Sequence, residues 1–393
     1  MKTGRTLFED SMILVTNTMQ PVPPVKGIDL ILSDTDQAGT NSVGEHGVLR
    51  SNPNYNPRKK SYTVFYGIYV NRLLQKAAAA MLDSVKANPD NHYTFPVGAL
   101  ELKSSWIDTN ALASGTVNNY YTTTALINGK KAGVALLGLH VVGRVQNHPE
   151  FIWATFEHHD MAPLYNWKGT SQSDLPVTSA TENLFFRKGD TATYQTLQYN
   201  TSPPAKSVFA IYQYGIPLVA GGDFMKTSQN EQTPPTNHEN LENLNNCVAS
   251  GLKDVWKNYF YNGSIWINMD GLTPQQQADT IVSLGFGIGS AAPGSMARGC
   301  LAGYNITMET FQQDFFDSSL VKMNSSTISN CFNCHNAPVT YNKKTLTSPL
   351  YVSHIFQGYV NRNINGFDKR QIDLFRIQSF LNSKKAVKSA LTK

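Results

Sequence analysis

Two cysteines and a histidine stand close together in the C-terminal part of the sequence, at Cys331-Phe332-Asn333-Cys334-His335. Thiols three residues apart lie on one side of a helical turn, where both can add to a flat ring system that carries two vinyl groups. The histidine that follows is then placed to bind an iron at the centre of that ring. The pattern C-x-x-C-H therefore predicts one covalent haem c per chain, with Cys331 and Cys334 as thioether donors and His335 as axial ligand.

The same cysteine spacing also occurs in redox-active disulfides and in half of a zinc site. Zinc would need two further ligands, and the remaining cysteines, Cys247 and Cys300, lie in segments without matching spacing. Those two cysteines could form a disulfide in an oxidising compartment, or they could be buried thiols. The motif favours haem over the two other interpretations, which stay open at this point.

Residues 309–338, ETFQQDFFDSSLVKMNSSTISNCFNCHNAP, resemble the haem-binding segment of the c-type cytochromes. More widely, FPVGALELKSSW, IWATFEHHDMAP, VWKNYF and METFQQ resemble an uncharacterised group of bacterial monohaem "cytochrome c family" proteins. These motifs are spread over most of residues 95–340. The resemblance implies one haem and export from the cytoplasm, but it does not indicate a substrate.

The second axial ligand of the iron is less clearly marked. Small class I cytochromes use a methionine downstream of the motif, whereas the last methionine of this chain, Met323, lies upstream of Cys331. His354 follows the motif, with Val352, Ile355 and Phe356 as apolar neighbours, as expected beside a porphyrin. We therefore predict His354 as the second iron ligand. The alternatives are Met296, Met308, Met323 or an open position.

Four polar residues on predicted strands are candidates for acid–base chemistry near a haem: Glu101, Lys103, His140 and Glu157. Glu101 and Lys103 are two residues apart and so share one face of a strand. Clustered side chains of these types could bind a polar substrate or exchange protons with it. The alternative is a hydrogen-bonded layer that joins the strands to a neighbouring segment, because buried charges are normally paired.

The stretch that contains Glu157 is rich in histidine. If it is extended, Trp153, Thr155, Glu157 and His159 share one face, and Phe156 and His158 share the other. A metal site formed by His140, His158 and His159 is disfavoured, because adjacent histidines on a strand point in opposite directions.

Hydrophobic periodicity predicts the elements that would position these residues. Strands are predicted over 61–70, 134–145, 151–156 and 207–220, with a hairpin turn at Asn128-Gly129. Helices are predicted over 73–85, 241–259 and 367–391, and Thr273-Pro274 has the composition of a helix start. We therefore predict an α+β fold with an antiparallel β-rich N-terminal unit, 1–230, followed by a mostly α-helical haem-bearing C-terminal unit, 231–393.

Composition limits the partners and the compartment. The 393 residues have a net charge of +5, 41% hydrophobic and 16% charged residues, and scattered basic positions, so a nucleic-acid partner is not expected. No apolar run is long enough to span a membrane. No signal peptide is visible, and haem attachment normally requires export, so a leader already removed and a periplasmic or extracellular location are expected. The predicted function is redox chemistry by a monohaem cytochrome. It would be a haem-dependent oxidoreductase on a small substrate or, alternatively, an electron-transfer protein that docks a redox partner.

Overall fold

The protein is built around one large antiparallel sheet. The computed structural model describes residues 12–16, 18–32, 49–167, 175–193, 209–216, 234–284, 297–299, 303–309, 330–341 and 344–363. Nine strands of this sheet lie within the described residues: β1 (Met12–Val15), β2 (Leu30–Leu32), β3 (Val64–Asn71), β4 (Leu100–Asp108), β5 (Thr122–Ile127), β6 (Lys130–Val145), β7 (His148–His158), β10 (Tyr259–Ile267) and β11 (Ala297–Gly299). Their order is β1-β3-β4-β6-β7-β10-β11, with β5 on β6 and β2 on β5. Among these nine strands, only β2 and β5 pair in parallel.

Two small hairpins and four α-helices accompany the sheet in the described part of the chain. The hairpins pair β8 (Val177–Thr178) with β9 (Thr191–Ala192), and β12 (Pro338–Tyr341) with β13 (Lys344–Thr347). The helices are α1 (Arg72–Ala87), α2 (Pro234–Gly251), α3 (Pro274–Leu284) and α4 (His354–Asn363). No helix among these residues is long and apolar enough to cross a bilayer.

Several predicted elements are confirmed. The strands predicted over 61–70, 134–145 and 151–156 correspond to β3, β6 and β7, and the helix predicted over 73–85 corresponds to α1. Asn128 and Gly129 both have positive φ, 49° and 76°, and they form the two-residue turn that joins β5 to β6. Positive φ at both positions is the geometry of a type I′ hairpin, which Asn-Gly favours. Helix α3 begins at Pro274 directly after Thr273, as predicted.

The predicted α+β fold class is wrong: the described residues are mostly β, built on one large antiparallel sheet, and a mostly α-helical haem-bearing C-terminal unit is not found among them. The helix predicted over 241–259 ends at Gly251, and the chain then enters β10, which pairs with β7 along the main sheet. The cause lies in the sequence of β10, YFYNGSIWI, whose aromatic and β-branched residues favour a strand. The strand predicted over 207–220 is described only at 209–216, where it forms isolated bridges, and the helix predicted over 367–391 lies outside the described residues.

The sheet continues across residue 230, the predicted boundary between two units. Residues 217–233 lie outside the described part, but β10 comes from the C-terminal side and pairs with β7 from the N-terminal side. One buried apolar cluster contains Val15, Val142, Ile265, Phe332 and Phe356, and so draws on both sides of the boundary. The C-x-x-C-H segment is therefore packed on the sheet through Phe332.

Candidate functional site

Cys331 begins a single turn of 3-10 helix, Cys331–Asn333, and Cys334 is the C-cap residue of that turn. Asn330 caps this turn, because its side-chain oxygen accepts a hydrogen bond of 3.0 Å from the backbone N–H of Phe332. Phe332 is fully buried, whereas Cys331 and Cys334 are half-buried thiols. The apolar anchor thus fixes the turn on the protein while both sulfur atoms remain near the surface.

One ring nitrogen of His335 forms a hydrogen bond with the backbone. Its Nδ1 lies 2.9 Å from the carbonyl oxygen of Val352. A carbonyl can only accept a hydrogen bond, so Nδ1 carries a proton, and in the neutral ring Nε2 is then the nitrogen with the lone pair. Metal-binding histidines are commonly held in this way, with the second ring N–H donated to a carbonyl or carboxylate. The local geometry therefore sets the tautomer that an iron ligand needs.

His354 lies against His335. The two rings stack with centroids 3.6 Å apart and planes 19° from parallel, and His354 Nε2 lies 2.9 Å from the carbonyl oxygen of Cys334. The turn formed by Val352, Ser353 and His354, called the histidine clamp below, is thus joined to the motif by two crossed histidine–carbonyl hydrogen bonds. Axial ligands lie on opposite faces of a haem, so His354 could become the second ligand only if the two rings separated to admit the porphyrin.

Trp153 of β7 covers the ring of His335 as well. The two ring centroids are 4.0 Å apart, and the indole is 7% exposed. The indole N–H of Trp153 and the amide nitrogen of Asn330 are buried donors with no hydrogen-bond partner among the described residues. Two such donors beside the motif suit a ligand that brings acceptor oxygens, as the carboxylate groups on the rim of a haem would.

The donor set fits a haem better than it fits zinc. A haem needs two thiols and one imidazole, and Cys331, Cys334 and His335 supply these groups in one turn. Zinc at the same cysteines would need further ligands, and no group of three or more His, Cys, Asp or Glu able to hold a metal is found in the described ranges. Of the remaining cysteines, Cys247 is an exposed thiol on α2, and Cys300 lies outside the described residues.

The four candidate acid–base residues point to one face of the sheet. Cross-strand pairing aligns Glu101 with Val142 and Trp153, and it aligns Lys103 with His140 and Thr155. Ser105, Gly138 and Glu157 form the next row. Directly paired residues share a face, so these rows form a continuous polar face that begins beside the haem motif.

Glu101 is the candidate nearest to the motif. Its carboxylate is buried and accepts a hydrogen bond from the hydroxyl of Ser353 in the histidine clamp. Burial raises the pKa of Glu101 to about 7, although the Ser353 hydrogen bond and the charge of Lys103 act in the opposite direction. Lys103 itself lies with its ammonium group 5.9 Å from the centre of the Tyr66 ring. Glu101 can therefore both orient a neighbour and exchange a proton near neutral pH.

His140 holds a second segment against the sheet. Thr155 donates its hydroxyl to the carbonyl of Gly303 at 2.8 Å, so it accepts from His140 Nδ1 at 2.9 Å. The other ring nitrogen, Nε2, lies 3.1 Å from both carboxylate oxygens of Glu309. Because Nδ1 already donates its hydrogen, the contact with Glu309 requires a second proton, shared between the imidazole and the carboxylate.

Glu157 contacts the same segment, residues 303–309, which we call the 303–309 strap. It is fully buried and accepts hydrogen bonds from the backbone N–H of Ile306 and, at 3.2 Å, from the side chain of Gln213. Burial raises the pKa of Glu157 to about 7, and the nearby charge of Glu309 acts in the same direction. His140 and Glu157 are therefore engaged in a hydrogen-bonded layer between the sheet and the strap.

Sequence reasoning missed the strap residues that complete this layer. The hydroxyl of Thr307 lies 2.6 Å from that of Ser105, and the side-chain amide of Asn305 donates to the carbonyl of Phe156 at 3.1 Å. Asn305 fits only because residue 138 is glycine, since a Cβ there would lie 2.3 Å from the Asn305 amide nitrogen. Alternation along β4 and β7 predicted which side chains share a sheet face, but no local signal identified the segment that covers that face.

His158, which ends β7, and His159, which follows it, are not brought together with His140 in a metal-binding group of the described residues. His158 is fully buried, stacks on Tyr120 at 3.7 Å, and donates from Nε2 to the carbonyl of Asn119 at 3.1 Å. Its Nδ1 accepts from the backbone N–H of Asp160, and burial lowers its pKa to about 4. His159 stacks on Phe260 instead. The ring of His158 is thus part of the packed interior, whereas His159 is an exposed residue.

The proposed alternatives for the second iron ligand are only partly described. Met308 is buried in an apolar cluster with Tyr66 and Leu137, a different cluster from the one that contains Phe332. Met296 and Met323 lie outside the described residues.

The comparisons with known proteins do not assign the chain to a family. No protein-family model, no curated protein and no solved structure matches the chain. The resemblance to c-type cytochromes therefore stays a prediction that depends on the motif and its surroundings.

Proposed function

We propose that this protein is a monohaem c-type cytochrome, with the haem bound through Cys331 and Cys334 and its iron bound by His335. The observation that carries the proposal is the hydrogen bond from His335 Nδ1 to the Val352 carbonyl, directly beside two half-buried thiols. This arrangement orients the imidazole and selects its tautomer before any cofactor is present.

Each residue around the motif would have its own role in holding the haem. The haem, when bound, supplies a one-electron change between ferric and ferrous iron. Cys331 and Cys334 attach it to the chain, and Val352 fixes the rotation of the His335 ring. Trp153 and His354 both pack against that ring, with ring centroids 4.0 and 3.6 Å from its own, and so restrict its movement.

Electron transfer is the redox function that the contacts favour. His140 and Glu157 are engaged with the 303–309 strap, and the half-buried motif leaves an edge at which a partner could exchange an electron. The partner would be a redox protein, and a bound nucleic acid is not proposed. Export to the periplasm or beyond belongs to the same proposal, since haem attachment normally requires it.

A haem-dependent oxidoreductase acting on a small substrate is the second candidate. It is favoured by Glu101, a buried carboxyl group beside the histidine clamp whose pKa burial raises to about 7. A general acid or base works best when its pKa lies near the working pH. Ferrous protein that binds CO at an open iron position would favour this candidate, whereas iron closed to CO would favour electron transfer.

Acid–acetone extraction tests the attachment itself. The full chain is exported in a host with a haem c maturation system, together with the double motif variant, which carries both Cys331→Ala and Cys334→Ala. The exposed thiol Cys247 provides a matched control, Cys247→Ala. We expect wild type and the control to keep their colour and the double motif variant to lose it. A colourless wild type, or colour kept in the double variant, would contradict the proposal.

A further inference from the structure

The polar face of the sheet meets the haem motif at one place, between Glu101 and Ser353. Glu101 projects from β4 in the row that also contains Trp153, and it accepts the hydroxyl hydrogen of Ser353 across 252 positions of sequence. Both side chains are buried, at 6% and 1% exposure. A hydrogen bond to a buried carboxylate is among the stronger ones available to a neutral donor.

Ser353 is the middle residue of the histidine clamp and is held from its other side as well. Its hydroxyl oxygen accepts from the backbone N–H of Phe356 at 3.1 Å, and its carbonyl accepts from Gln357 at 3.0 Å. Ser353 thus caps the start of α4, while Glu101 fixes the direction of the same hydroxyl. The carbonyl of Val352, one residue earlier, is aimed at His335 by this double restraint.

We infer that Glu101 is a positioning residue for the iron-binding histidine, acting through Ser353 on the Val352 carbonyl that accepts from His335. The inference rests on the proposed function, because it concerns the ligand of the haem iron. It assigns to a buried sheet carboxylate the task of setting how strongly His335 donates electrons to the iron.

The expected consequence is a change in reduction potential. A hydrogen bond to Nδ1–H makes the imidazole a stronger donor, and a stronger donor stabilises ferric over ferrous iron. Loss of the Glu101–Ser353 contact loosens the Val352 carbonyl, weakens the bond to His335 and so favours ferrous iron. The reduction potential should therefore rise in Glu101→Ala and in Ser353→Ala.

The test compares four variants of the exported, haem-loaded full chain at one pH. Glu101→Ala and Ser353→Ala remove the contact from either side, whereas Glu101→Gln keeps an oxygen that can accept from Ser353. Ser105→Ala is the matched control, because Ser105 is another fully buried serine that joins the same sheet face to a covering segment, the 303–309 strap. In Glu101→Ala and Ser353→Ala we expect the ratio of ferrous to ferric iron to increase about tenfold, which corresponds to a rise in reduction potential of roughly 59 mV. Glu101→Gln and Ser105→Ala should keep the wild-type potential.

A purely structural role for Glu101 predicts a different pattern. In that case Ser353→Ala and Ser105→Ala would lower the free energy of unfolding alike and leave the potential unchanged, which would overturn the inference while leaving haem attachment intact. If Glu101→Ala does not fold, the reduction potentials of the other two variants still test the inference. Ser353→Ala should raise the potential, and Glu101→Gln should keep the wild-type value. Wild-type protein without covalent haem would overturn the inference together with the proposed function.

Discussion

Two buried or half-buried histidines of this protein each donate one ring N–H to a backbone carbonyl, but they do so from opposite nitrogens. His335 donates from Nδ1 to Val352, and its Nε2 therefore has the lone pair in the neutral ring. His158 donates from Nε2 to Asn119, and its Nδ1 accepts from the N–H of Asp160. The first arrangement suits a metal ligand, whereas the second uses both nitrogens within the fold.

His158 should give the stability of the protein a distinctive pH dependence. Its pKa is lowered from 6.5 to about 4 by burial, so the unfolded state takes up a proton between these values and the folded state does not. Its contribution to the free energy of unfolding is therefore complete above pH 6.5 and decreases as the pH falls towards 4. His158→Phe keeps a ring against Tyr120 but removes this titration.

Urea unfolding of wild type and His158→Phe at several pH values measures the effect. At pH 7 the variant should be less stable, because two hydrogen bonds are lost. The difference in free energy of unfolding between wild type and variant should decrease by about 3 kcal/mol as the pH is lowered to 4, since each unit of pKa difference corresponds to about 1.4 kcal/mol. A gap that stays constant with pH would mean that His158 titrates alike in both states.

For single residues, the sequence predicts which side chains would bind a haem, but it does not predict the tautomers of the histidines. The C-x-x-C-H spacing is local, so the roles of Cys331, Cys334 and His335 can be predicted without a fold. The partner of His335, by contrast, is 17 residues away and is a carbonyl, which has no sequence signature. The same is true of His158 and Asn119, 39 residues apart.

The 303–309 strap covers the polar face of the sheet through side-chain and backbone hydrogen bonds. Its Asn305 lies directly over Gly138 of β6, where a Cβ would approach the amide nitrogen to 2.3 Å. Tyr66 adds a further hydrogen bond, from its hydroxyl to the carbonyl of Thr307 at 2.6 Å. The strap thus contacts the sheet closely at several points, so even one methyl group added at residue 138 must displace the strap.

Gly138→Ala should lower the free energy of unfolding by about 1–3 kcal/mol, the usual cost of adding volume to a packed interface. Gly133→Ala, on the same strand, is the matched control, because a Cβ there meets only the Thr109 hydroxyl, at 3.2 Å. Urea unfolding measures the free energy of unfolding of both variants. Adding Asn305→Ala to Gly138→Ala should recover much of the lost stability. Equal losses of stability in Gly138→Ala and Gly133→Ala would contradict the close fit of the strap to residue 138.

Strand and helix prediction succeeded where a pattern is local and failed where neighbours decide. The largely apolar runs 134–145 and 151–156 predicted β6 and β7, and Asn128-Gly129 predicted the turn before β6. The apolar spacing of Leu252 and Tyr259 continued a helical pattern past Gly251, yet residue 259 begins β10. Pairing with β7 supplies hydrogen bonds that no isolated segment reveals, and it overrides the weaker helical preference.

The molecule as a whole is held together by pairing between distant parts of the chain. β10 pairs with β7 from Tyr259↔His158 to Ile265↔Trp153, across the predicted boundary at residue 230. The apolar cluster that buries Phe332 also includes side chains from β1 and from α4. The sequence predicted two units because a polar, proline-containing stretch follows residue 227, but such a stretch does not show whether the strands on either side pair.

Proteolysis should reveal this pairing. The stretch SQNEQT, residues 228–233, which directly precedes α2, is the expected site of first cleavage, since it is polar. We expect the two fragments to elute together on gel filtration without denaturant, because β7 and β10 remain paired, and to separate in urea. Fragments that separate without urea would instead support two independent units.

The central claim is a haem held by two thioether bonds, and the spectrum of the alkaline pyridine complex tests it most directly. Pyridine replaces the axial ligands, so the spectrum depends on how many vinyl groups have been consumed and not on the second ligand of the iron. We expect the purified, exported wild type to give the band of a haem with both vinyl groups saturated. Cys331→Ala and Cys334→Ala should each give the band of a haem with one vinyl group retained, or no haem. A wild-type protein without haem, or with both vinyl groups intact, would contradict the account.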